Sequence, residues 1–146
     1  MSRAECAVFL REHEVGSLGC IYNGKPYVVP IRFVFDEDRI YSFSLPGEKI
    51  ESMRQDPQVC IQVYAEETAQ SWKSVLVRGT YHELPDDEDG HSSHMRAWSL
   101  LQKRGNWWEP GAYKPDSLAP SGTSLAPIFY QIQVEQISGR IAAASD

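Results

Sequence analysis

A chain of 146 residues, 42% hydrophobic and 23% charged, has the size of one domain and the composition of a globular one, which sets aside disordered and fibrous proteins. Its net charge of −6 at pH 7 repels nucleic acid and anionic membrane surfaces, and no apolar run approaches the ~20 residues that cross a bilayer. Cys6, Cys20 and Cys60 lack CxxC or zinc-like spacing, and the N-terminus lacks a signal-peptide core, so a cytoplasmic protein without a disulfide framework is expected.

Residues 4–14 carry Cys6, Phe9 and Leu10 at helical spacing among charged neighbours, which predicts one amphipathic helix. Residues 15–22 and 26–35, rich in β-branched and aromatic side chains, flank Asn23-Gly24-Lys25 and read as a hairpin. Asp36-Glu37-Asp38 is a second turn before a third strand over residues 39–44. Pro46-Gly47-Glu48 leads into a short helix that ends before Asp56-Pro57. Two strands follow, 59–65 and 72–83, joined by the polar stretch 66–71. The acidic run 84–89 reads as a helix start, because carboxylates favour the positive end of the helix dipole, with Ala97, Leu100 and Leu101 as its apolar stripe. Residues 105–126 read as a long loop around Trp107 and Trp108, and residues 127–137 read as a last, alternating strand. Six strands and few helices in a single domain over residues 1–146 predict a mainly β fold, a six-stranded antiparallel barrel that removes exposed edges.

Catalytic signatures are sparse. His91 and His94 lie three apart but lack a third ligand of suitable spacing, so no metal site is expected. The sequence holds no Gly-x-Ser-x-Gly elbow and no Gly-x-Gly-x-x-Gly fingerprint, so neither hydrolase chemistry nor a Rossmann nicotinamide site is indicated.

A set of fragments carries more information together than singly. In order they are PYVVPI from Pro26, IYSFSLPGEKI from Ile40, Met53-Arg54, Asp56-Pro57, Val59-Cys60, WKSV from Trp72 with Gly79, and WWEPG from Trp107. In this order and spacing the chain resembles the pyridoxamine 5′-phosphate oxidase-like FMN-binding split-barrel family, nearest its nitroimidazole-resistance branch. The resemblance implies a homodimer that binds FMN. It implies that Phe43, Ser44, Gly47 and Lys49 form the turn that grips the phosphate, where a hydroxyl, a lysine and helix N–H groups suit a dianion. Trp72, Lys73, Ser74 and Val75 approach the same cofactor, with Lys73 converging on the phosphate beside Lys49. Pro30, Ile31, Arg32 and Phe33 lie along the flavin ring, Arg32 near its polar edge. The resemblance further implies that Trp107 and Trp108 of one subunit cover the flavin of the other.

Function then has two readings. One is an FMN-dependent oxidoreductase, fed by NAD(P)H or another small donor and acting on a nitroaromatic, a quinone or oxygen. The other is a flavin-binding or sensing protein without turnover, since no catalytic acid or base stands out. Pyridoxamine phosphate oxidation fits less well, because the chain shows no second basic cluster for a substrate phosphate. A barrel of this kind can also take a haem or a deazaflavin.

Overall fold

The computed structural model describes residues 1–103 and 126–143. Among them the elements run α1 (Arg3–Glu12), β1 (Val15–Tyr22), β2 (Lys25–Arg32), β3 (Val34–Asp36), β4 (Arg39–Ser44), α2 (Glu48–Gln55), β5 (Gln58–Thr68), β6 (Ser71–Glu83), α3 (His91–Gln102) and β7 (Ile128–Ala142). The strands make one sheet in the order β2-β1-β5-β6-β7-β4-β3, every neighbour antiparallel.

The β1–β2 hairpin turns on Asn23 and Gly24, whose φ values of 51° and 75° match a tight turn that follows the twist of its strands. The expected strand over 26–35 is in fact two, which raises the strand count among the described residues from six to seven. Phe33 breaks it: its N–H bonds the Glu14 carbonyl at 2.9 Å and its side chain turns into the core, after which β3 pairs with β4 instead of β1. The sheet then curls until β4 meets the end of β2 through a side chain, Ser42 Oγ donating to the Arg32 carbonyl at 2.6 Å. This is a split barrel, its seam bridged without a full ladder.

The interior holds alternate residues of the strands, among them Leu18, Ile31, Ile61, Val75, Val77 and Ile132. α1 covers one side with Cys6, Phe9 and Leu10, and α2 contributes Ile50 and Met53. Burial of each large apolar side chain stabilises the fold by about 1.5–3 kcal/mol. β4 is covered on both faces, Ile40 entering the barrel while Tyr41 and Phe43 join Phe129, Leu84 and the α3 residues Ala97 and Leu101 in a second cluster.

Two boundaries differ from those expected. α3 starts at His91, after the acidic run, because the acids build the preceding turn: Asp87 accepts from the Gly90 N–H at 2.7 Å and Asp86 pairs with His91 at 2.5 Å. β7 runs on to Ala142 because β6 is 13 residues long and pairs with it out to Trp72. Trp107 and Trp108 fall outside the described residues. Among the described residues no helix is long and apolar enough to cross a membrane.

Candidate functional site

Most of the candidate site residues fall in two places. The first lies where β4 passes into α2. Ser44 is buried, its hydroxyl donating to the Leu45 carbonyl at 2.9 Å while accepting from Lys49 Nζ at 3.4 Å. Gly47 stands at the N-cap in extended backbone and supplies no side-chain cap, so the first turn of α2 presents its N–H groups without a side-chain acceptor from the cap residue. Lys49 also faces β1. Burial pushes the Cys20 thiol up, offset in part by its hydrogen bond with Ser52 and by the charge of Lys49.

The second place is the outer face of the sheet. In β6, Val75, Val77 and Tyr81 are buried while Trp72, Ser74, Leu76 and Arg78 alternate outward. Cross-strand registers set these in rows: Tyr64, Ser74 and Arg140 in one, Gln62, Leu76 and Ser138 in the next, Cys60, Arg78 and Gln136 in a third. The β1 and β2 pairings extend the second row to Ser17 and Pro30. Pro30, Arg32, Trp72 and Ser74 therefore share one face, and Ser42 ties the Arg32 backbone to β4 two residues before Ser44. Arg32 is not a lone cation there, since its guanidinium lies 3.6 Å from the Glu14 carboxylate.

Several site expectations need correction. Lys49 and Lys73 do not converge within one protomer. Lys73 pairs with Ala65 and Ile141, five strand residues from the Cys60–Arg78 pair, or ~17 Å along the sheet, whereas Lys49, on α2, faces Cys20 of β1, which lies beside Cys60. Lys73 also has the parity of Val75 and Val77, so at the barrel's end it opens onto a groove under α1 with Met1, Val8 and Glu12 instead of the face that holds Ser74. Ile31, Phe33, Phe43 and Val75 turn their side chains into the two cores, each at most 1% exposed, so only their backbone can meet a ligand. His91 and His94 have structural partners, Asp86 for the first and the Leu84 carbonyl at 2.7 Å for the second, whose ring edge also rests on Phe129.

Comparison with known proteins bears on what this arrangement is. The family model described as pyridoxamine 5′-phosphate oxidase matches residues 2–141. The chain belongs to that family. An uncharacterized protein of Rhizobium meliloti is 41% identical over all of this chain and 96% of its own length. A crystal structure of an FAD-binding protein from Mesorhizobium loti is 40% identical, covers 98% of this chain and 96% of its own, and has a TM-score of 0.78. A candidate 5-nitroimidazole antibiotic resistance protein from Bacteroides thetaiotaomicron shares the fold at 21% identity and a TM-score of 0.69, over 94% of this chain and 82% of its own.

For a member of the pyridoxamine 5′-phosphate oxidase family, the sequence motifs single out the strand-to-helix turn and half of the outer face. They miss Gln62, Tyr64 and Arg78, which line the same face as Trp72 and Ser74. Their period-2 exposure is visible in the sequence, but the register that gathers them is set by pairing between distant strands.

Proposed function

We propose that this chain binds FMN and works as a homodimeric, flavin-dependent oxidoreductase on a small acceptor such as a nitroaromatic, a quinone or oxygen, with NAD(P)H or a similar small molecule as donor. The observation that carries the reading is the Ser44–Lys49 turn. There a lysine amine, held beside the buried Ser44 hydroxyl, meets the start of an eight-residue helix, and the amine and the helix N–H groups make a donor set suited to a phosphate dianion. When bound, the flavin supplies hydride or electron transfer. The protein's part is to hold and orient it: Lys49 and Ser44 fix the phosphate end, and the backbone of residues 30–33, beside the Ser42 tie, borders the ring.

The homodimer is supported by what the outer face leaves uncovered. Val15, Ile21 and Val28 stand there 49%, 36% and 67% exposed, an apolar strip that a second copy would bury together with the flavin. The 40%-identical protein named as FAD-binding favours a second reading, in which the longer flavin is the cofactor.

Purification tests the first claim directly. The protein is expected to be yellow or to take up FMN, to sediment near twice 16.5 kDa and to consume NAD(P)H when a nitroaromatic or quinone is added. Uptake and dimerisation without turnover would point to the sensing role instead. A colourless monomer indifferent to FMN would overturn the proposal.

A further inference from the structure

The outer face of β5, β6 and β7 is indented by a groove of about 610 Å³. Tyr64 and Trp72 wall one end, their ring centroids 6.1 Å apart and the rings tilted by 38°. Arg140 stands opposite Ser74, itself opposite Tyr64, so a guanidinium flanks the aromatic pair. Gln62 Nε2 donates to Ser74 Oγ at 3.0 Å, which leaves the hydroxyl proton of Ser74 to be given elsewhere. Arg78 occupies the other end, four strand residues from Ser74, or ~13 Å. Among the described residues neither arginine has an acidic partner, in a chain whose net charge is −6.

Aromatic faces at one end of a polar groove and a guanidinium at the other match a molecule with a flat base and a phosphate. We propose that this groove is an adenylate subsite, the base against Tyr64 and Trp72 with Arg140 at its edge, the phosphate at Arg78. Resting on the flavin reading above, the adenylate is the nucleotide half of FAD. Pro30 lies on the same face two strand spacings from Gln62, ~10 Å, so a flavin beside β2 can extend into the groove. A separate dinucleotide donor carries the same chemistry.

Binding by the full-length protein separates these sources. AMP, FMN, FAD and NADPH are titrated against the parent, Arg78→Ala and Arg140→Ala, with melting temperature as the check on folding. AMP affinity is expected to fall about ten-fold or more in each variant, because a charge-assisted contact is lost. FAD affinity should fall by a similar factor while FMN is unmoved. A loss confined to AMP and NADPH also supports the subsite and assigns it to the donor. If the parent binds no flavin yet the variants lose AMP, the flavin reading fails and the groove stands. AMP binding that is absent from the parent or unchanged in both variants overturns the proposal, as does an equal loss of FMN and FAD.

Discussion

The two faces of β6 are built from neighbouring residues yet do different work. Val75, Val77 and Tyr81 pack inward, where volume and shape decide stability, whereas Trp72, Ser74, Leu76 and Arg78 point outward and contribute little to the core. The contrast teaches that residue 73 is on the wrong side for the role its charge suggested. Lys73 follows the inward parity, and only the strand's end exposes it.

The largest effect should come from cutting the inward face. Ile61, fully buried on β5 beside Val75 and Val77, is expected to cost about 2–5 kcal/mol as Ile61→Ala in denaturant unfolding, through lost burial and the cavity left behind. Its outward neighbour should behave differently. Gln62→Ala is expected to stay within about 0.5 kcal/mol of the parent, and a cost equal to that of Ile61→Ala would erase the division between the faces.

A close approach sharpens the comparison on β7. Gly139 lies between outward Ser138 and Arg140, and a Cβ there would sit 2.6 Å from Cys6 Sγ and 2.9 Å from Met1 Sδ. Gly139→Ala should therefore push α1 off the barrel at a cost of about 1–3 kcal/mol, measured by melting, while Ser138→Ala is nearly silent. Equal melting temperatures would show that α1 is not seated on this strand.

A smaller effect belongs to the network at the end of α2. Arg54 bonds the Glu83 carboxylate, Tyr81 donates to it at 2.9 Å, and both hold it below the usual carboxylate range, Arg54 most strongly. Because the folded state lowers this pKa, the stabilisation is present above the unfolded value of about 4.3 and is lost as pH falls through the folded value. Glu83→Gln should flatten the acid side of a stability–pH profile; an unchanged profile would show that the pair is screened by solvent. The same network holds the Tyr81 hydroxyl protonated well above its ordinary range, chiefly through burial and then through Glu83.

Much of this architecture was legible in the sequence because local signals agreed with it. Asn23-Gly24 fixed the first hairpin, and the alternation of residues 128–134 fixed the last strand. What could not be read depended on contacts between distant segments. Nothing near Phe33 says that its N–H will find Glu14, so the strand break was invisible. The acids at 86 and 87 suit a helix start by charge, but their bonds to His91 and Gly90 place them in the turn before it. At the candidate site the Ser44–Lys49 pair was readable as a turn of six residues. The distance between Lys49 and Lys73 was not, because it follows from the order of the sheet.

The proposed function rests on a phosphate site at the Ser44–Lys49 turn. Titration of the parent and Lys49→Ala with FMN and with riboflavin tests it most directly, with apo-protein melting temperature as the control. The parent is expected to prefer FMN, and Lys49→Ala to weaken FMN binding by roughly ten- to hundred-fold, as losing one charge-assisted contact of about 1.5–3 kcal/mol implies. Riboflavin affinity and melting temperature should hardly move. Equal affinity of the parent for the two flavins, or an unchanged FMN affinity in Lys49→Ala, would contradict it.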